Sequence, residues 1–181
     1  EVVDRQAKTM RDMLDQGQGI EVRLATEREE IDALWTLRQK LGAAVTGVNS
    51  GDFAEDIVVP LGRIATMVRR VEAIAKKNDL AIYNYGHAGD GNLHVNITFD
   101  KASEEETKRA RQAVHDVFEA TLEEGGSISG EHGIGNTKRD YIGMEVDQNT
   151  AVVMTAIKDA LDPRGILNPG KAIPPAESVS K

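Results

Sequence analysis

The chain has 181 residues and a formal net charge of −8, with 22 Lys and Arg against 30 Asp and Glu, and no Cys. The length suits one compact domain rather than two, and the acidic balance speaks against a phosphate-binding surface, and so against nucleic acid as a partner. Without Cys there are no disulfides, thiolate zinc sites or cysteine nucleophiles, which fits a reducing, cytoplasmic compartment and leaves any metal to His, Asp or Glu. No apolar run reaches the roughly 20 residues of a membrane helix, and the start EVVDRQAKTM is no signal peptide. The missing initiator Met and the loose ending IPPAESVSK lead us to expect a C-terminal fragment of a larger protein.

Val2, Ala7, Met10 and Met13 recur at helical spacing up to the breaker Gly17-Gln18-Gly19, after which Glu21 to Ala25 alternates like a short half-buried strand. Thr26 with Glu29 reads as a capping box for a helix striped by Ile31, Leu34, Leu37 and Leu41 and ending near Gly42. After a polar stretch, Ile57-Val58-Val59 predicts a buried strand stopped by Pro60. Ile64, Met67, Val68, Val71 and Ile74 then predict a helix. Strands follow over Leu80 to Tyr85 and Leu93 to Phe99, joined around Asp90-Gly91. Ser103 and Glu106 cap a helix carrying Ala110, Val114, Val117, Phe118 and Leu122, which breaks at Gly125-Gly126. Asp147 opens a last helix with Val152, Val153, Ala156, Ile157 and Leu161 inward, ended by Asp162-Pro163. Four short strands with these helices predict an α+β fold: a mostly antiparallel sheet with helices packed on one face, nearest to a ferredoxin-like split βαβ.

Three of the four His fall in two Gly-rich, acid-containing segments, 85–94 and 129–135. Asp90-Gly91 as a two-residue type I′ turn would set Gly89 against Asn92 and His87 against His94, with the imidazoles on one sheet face about 5 Å apart at Cβ. Asn96 shares that face one step along the strand. Glu131 is then a candidate third ligand, giving a two-His, one-carboxylate set with open positions. The plainer reading, a polar cross-strand His pair and glycines that only serve turns, stands beside it. His115, mid-helix among charged neighbours, belongs to a solvated face, and Gly133-Ile134-Gly135 reads as an ordinary turn.

The segments GHAGDGNLHVNI at 86–97, SGEHGIGNTK at 129–138 and DPRGILNPGK at 162–171 resemble the C-terminal part of FAD-linked 2-hydroxyacid oxidoreductases. That group includes the flavoprotein component of glycolate oxidase, D-lactate dehydrogenases and D-2-hydroxyglutarate dehydrogenase. The resemblance implies a substrate-binding cap domain over 1–161 and a C-terminal return over 162–181. FAD would be cradled by an N-terminal domain of the same protein that is absent from this chain. It further implies His87, His94 and Glu131 as ligands of a divalent metal (Zn, or Mn or Fe), His132 as the base for the substrate hydroxyl and Asn96 as a substrate contact. Arg38 matches a position that grips the substrate carboxylate, and Asn168 one that approaches the flavin. Gly42 and Ala54 stand where the D-2-hydroxyglutarate pattern carries a hydroxyl residue and a lysine, so a small monocarboxylate such as glycolate or D-lactate is expected. Other oxidase subunits or a second copy are further partners to expect. A free-standing metal-dependent hydrolase and a non-catalytic oligomerisation domain are the competing readings.

Overall fold

The computed structural model describes residues 2–16 and 22–173, so Gly17 to Gly19, Glu21 and the tail beyond Ile173 lie outside the described residues. The chain divides into two units, one up to Ala44 and one from Val45 onward. The first unit is helical: α1 spans Val2–Gln16, and α2 spans Arg28–Thr46, running just past the boundary. α2 passes through Gly42 instead of stopping there, since one glycine costs a helix about 1 kcal/mol and Ala43 and Ala44 favour continuation. The strand expected over 21–25 does not form in its described part, because 22–26 carries no ladder. A strand needs a partner for its backbone groups, and no other strand lies among the described residues of this unit.

The second unit holds β1 (Gly51–Val58), α3 (Ile64–Asn78), β2 (Ala81–His87), β3 (Asn92–Phe99), α4 (Glu104–Glu123) and α5 (Gln148–Leu161). There are three strands among the described residues rather than the four expected. β1 begins at Gly51, six residues ahead of its apolar run, because Gly51 to Asp56 also pair with β3, in a ladder from Gly51↔Phe99 to Val58↔Asn92. The sheet order is β1-β3-β2 with both pairings antiparallel. This is the split βαβ of a ferredoxin-like fold, and an isolated antiparallel bridge, Val58 to Ser127, caps the outer edge of β1.

β3 reads Asn-Leu-His-Val-Asn-Ile-Thr-Phe, a strict alternation, and the two sets of side chains part accordingly. Leu93, Val95, Ile97 and Phe99 meet Ile57 of β1, Met67, Val71 and Ile74 of α3, and Ala113, Val114, Val117 and Phe118 of α4 in one core. Asn92, His94, Asn96 and Thr98 point to the opposite face and are buried there although polar. Ser103 caps α4 by accepting from the Glu106 N–H at 3.1 Å, and Asp147 caps α5 by accepting from the Thr150 N–H at 2.7 Å. α5 departs from expectation: Val152, Val153, Ala156, Ile157 and Leu161 are exposed, and Ala151 is its one buried residue. Met154, Thr155 and Lys158 are half-buried, so the helix turns its i, i+3, i+4, i+7 face with Ala151 inward. Amphipathic spacing gives a helix two candidate faces, and packing chooses between them.

Candidate metal and proton-transfer site

The hairpin that carries two of the histidines is looser than its Asp-Gly signal suggests. His87 pairs with Asn92 and Tyr85 with His94, leaving a four-residue loop over 88–91 instead of a two-residue turn. The Asp90 N–H donates to the His87 carbonyl at 2.9 Å, and Gly91 takes φ +77° while its carbonyl accepts from the Val59 N–H at 3.0 Å. A Cβ on Gly91 would stand 2.1 Å from the Val59 oxygen, so this glycine serves the passage under the end of β1. The register slips by two residues, and an even slip keeps every side chain on its face. His87 and His94 therefore remain neighbours, now diagonal, with ring centroids 5.4 Å apart, and Tyr85 faces His94 at 5.2 Å.

The third segment arrives from the chain after α4. Gly130 lies so close to the sheet that a Cβ there would stand 2.3 Å from Asn92 Nδ2 and 3.1 Å from Asp56 Oδ2. With the backbone held this near, Glu131 Oε1 comes to 3.2 Å from His94 Nε2 and 3.7 Å from His87 Nε2. His132 stacks on His94 with centroids 5.3 Å apart and sets its Nε2 3.9 Å from the same Glu131 oxygen. His87, His94, Glu131 and His132 are thus brought together by three segments. His115 is exposed on α4 beside Asp116 and Glu119, but the Asp116 oxygens already accept from Lys77, Asn78 and Gln112.

The donor set fits a divalent cation. One ligand atom from each of His87, His94 and Glu131 lies within 4.8 Å of the other two. Atoms bound tetrahedrally to zinc at about 2.0–2.1 Å stand about 3.4 Å apart, close to the two contacts Glu131 makes. Burial pushes the His94 imidazole below its ordinary value, reinforced by the neighbouring His132 and His87, although Glu131 pulls the other way. A neutral imidazole presents a lone pair, and lone pairs facing a carboxylate need a cation or a proton between them.

Beneath these residues lies an acid–base pair that the sequence motifs do not announce. Asp56, fully buried on β1 opposite His94, accepts through Oδ2 from the Glu131 N–H at 2.5 Å and the His132 N–H at 3.0 Å. Its Oδ1 binds Lys138 Nζ and lies 3.5 Å from His132 Nδ1. Burial opposes ionisation, but the bonds from Lys138, His132 and Glu131 outweigh it and hold the Asp56 carboxyl at about 2. An acid directly before Ile57-Val58-Val59, and a lysine at the end of SGEHGIGNTK, are the signals that could have pointed to them.

Asn96, two residues beyond His94 and on its face, is buried with its Nδ2 unpartnered. Ala54 pairs with Asn96 across the sheet. Arg38 lies in the first unit, half-buried on α2, and Gly42 is on the same helix. Asn168 has φ +46° and lines a separate cavity of about 620 Å³ with Gly135, Ile157, Leu161 and Leu167.

Residues 1–172 match the family model of FAD linked oxidases, C-terminal domain. The chain belongs to that family. It is 39% identical over 171 residues to the glycolate oxidase protein GlcD of Bacillus subtilis, covering 94% of this chain and 36% of that protein. The Escherichia coli K12 GlcD is 33% identical, over 95% of this chain and 34% of its own length. The mitochondrial D-lactate dehydrogenase [cytochrome] of Arabidopsis thaliana is 33% identical over 94% and 30%. The chain thus spans about a third of the length of these relatives. Among solved structures, 4-ethylphenol oxidase of Gulosibacter chungangensis, in complex with isoeugenol, superposes with a TM-score of 0.63 over 96% of this chain and 37% of that one, at 24% identity. That likeness supports the α+β fold expected for the family. Among the described residues no helix is long and apolar enough to cross a membrane.

Proposed function

We propose that this chain is the substrate- and metal-binding part of an FAD-dependent oxidoreductase that converts a small 2-hydroxyacid, of glycolate or D-lactate type, to the 2-oxoacid. The observation that carries the reading is the convergence of His87, His94 and Glu131 beside His132 in a chain of the FAD-linked oxidase family. The flavin-binding domain of the same protein is its first partner. FAD bound there would supply the acceptor for the hydride of the substrate α-carbon. A Zn, Mn or Fe ion held by His87, His94 and Glu131 would supply Lewis acidity that favours loss of the hydroxyl proton.

The chain's own residues account for binding and proton transfer. His132, its Nδ1 turned to Asp56 Oδ1, presents Nε2 beside Glu131 and takes the substrate hydroxyl proton there. Asn96 offers a buried N–H donor with no protein partner to a substrate oxygen on the same sheet face. The family resemblance assigns Arg38 to the substrate carboxylate, where a guanidinium can grip both oxygens, and Asn168 to the flavin side. Ala54, paired with Asn96 across the sheet, offers no polar group to a second carboxylate, which favours a monocarboxylate.

Two measurements test the reading. Crystals soaked in Zn²⁺ or Mn²⁺ should show an anomalous peak among His87, His94 and Glu131; a peak elsewhere, with none there, removes the metal assignment. In the full-length parent enzyme, His132→Ala should lower kcat about 10²–10⁴-fold with a much smaller change in KM, because a base acts in the transition state. Wild-type turnover of that variant across neutral pH would remove His132 from the role of base.

A further inference from the structure

Of the residues that touch metal or substrate under this reading, Glu131 and His132 sit on a loop, and a loop places its side chains no better than its backbone is held. The ends of the loop from Ile128 to Lys138 have other anchors, the Ile128 N–H donating to Glu145 Oε2 at 3.0 Å and the Gly135 carbonyl accepting from the Ala172 N–H at 2.7 Å. The stretch that carries Glu131 and His132, however, is held through Asp56. Asp56 Oδ2 accepts from the consecutive N–H groups of Glu131 and His132 at 2.5 and 3.0 Å. Lys138 Nζ donates to Asp56 Oδ1, to the Asp56 carbonyl at 2.7 Å and to the Ile128 carbonyl at 2.8 Å, which uses all three of its protons. The Lys138 N–H in turn donates to the Ile134 carbonyl at 3.2 Å. The middle of the loop therefore bonds to this carboxylate directly and its two ends through Lys138, while Oδ1 also faces His132 Nδ1 at 3.5 Å.

We infer that the buried pair Asp56–Lys138 is a positioning device that sets the Glu131 carboxylate and the His132 ring in place before any metal or substrate arrives. The inference rests on the function proposed above and deepens it. Stability alone is a poor explanation for the pair. Asp56 is fully buried and Lys138 only 2% exposed, and desolvating two such charges offsets most of their attraction, so that apolar residues of similar volume serve a core as well. What apolar residues could not supply is a carboxylate with one oxygen aimed at two backbone N–H groups and the other at an imidazole of the site. Partners of this kind, one bond removed from a metal ligand, typically govern metal affinity about 10–100-fold.

The test uses the 181-residue chain, with Co²⁺ as the probe and its visible absorption as the readout. Asp56→Asn keeps the side-chain shape but gives up one acceptor oxygen, and should weaken Co²⁺ binding about 10–100-fold while the circular dichroism of the folded chain is unchanged. Lys138→Met should weaken it in the same direction. Failure of the wild-type chain itself to bind Co²⁺ would count against the proposed function. Wild-type binding with Asp56→Asn within twofold of it would overturn this inference alone, even if the variant melts earlier, since that is what a merely structural pair would do. Should the variants not fold, hydrogen exchange of the wild-type chain decides. The Glu131 and His132 amides should be protected without metal and change little when Co²⁺ is added. Amides unprotected until Co²⁺ binds would show that the metal, and not the pair, orders the loop.

Discussion

Gly130→Ala is the smallest change that separates the loop from the sheet. Its Cβ would stand 2.3 Å from Asn92 Nδ2 and 3.0 Å from Asn92 Cγ, where ordinary contact begins at 3.4 Å, so something must move by about 1 Å. Asn92 is only 5% exposed and is hemmed in on the sheet face, so the loop is the part that yields. A shift of about 1 Å takes the His132 N–H from 3.0 Å to about 4 Å from Asp56 Oδ2, beyond hydrogen-bonding range, and stretches the Glu131 bond beside it. Hydrogen bonds to a charged acceptor contribute about 1.5–3 kcal/mol each, so losing one and weakening the other costs about 2–4 kcal/mol. For a chain of this size that lowers Tm by about 5–15 °C. Co²⁺ affinity should fall with it, because Glu131 moves with its backbone. The matched control is Gly89→Ala, where a Cβ meets nothing within 4 Å and φ is not positive, and the expected change is under about 0.5 kcal/mol. Calorimetry and Co²⁺ titration of both variants check this. If Gly130→Ala melts and binds Co²⁺ as Gly89→Ala does, the close approach carries no energetic weight and the reasoning fails.

Phe118→Ala empties the centre of the core, where the ring is fully buried and meets Tyr141 edge-on at 5.0 Å, and should cost about 3–5 kcal/mol in urea unfolding; a loss under about 1 kcal/mol would mean the core is not packed as described. Asp116 is buried on α4, which disfavours its charge, but bonds from Lys77, Gln112 and Asn78 more than offset this and hold its carboxyl below the ordinary value. A carboxyl depressed in the folded state stabilises above its unfolded pKa of about 3.9 and ceases to as pH falls through the lower folded value. The stability gap between wild type and Asp116→Asn should therefore be full at about pH 6 and shrink below about pH 4, as read by denaturant titration; a gap independent of pH would refute it.

The helices and strands of the second unit were legible in the sequence because their signals are local. Ser103 and Asp147 mark helix starts through hydrogen bonds three residues long, and the alternation from Asn92 to Phe99 assigns two faces without reference to anything else. The pairing of His87 and His94 on one face was legible for the same reason: the alternation survives the change from a two-residue to a four-residue loop. The motifs brought Glu131 and His132 into view as residue types, and family membership followed from them.

What the tertiary structure alone decided are the matters that join distant segments. The hairpin register depends on Gly91 meeting Val59, thirty-two residues earlier, and not on the turn it helps to form. Asp56 and Lys138 lie eighty-two residues apart; Lys138 closes the SGEHGIGNTK motif but nothing local says what it bonds to, and an acid in a strand is ambiguous until the loop that donates to it is in place. The exposed apolar face of α5 makes the same point, because helical spacing marks a stripe as apolar but only its neighbours determine whether the stripe is covered. Sequence periodicity reports on bonds closed within a few residues. The site is made of bonds closed across the chain, and their partners are fixed only when the sheet, the loop and the buried pair assemble together.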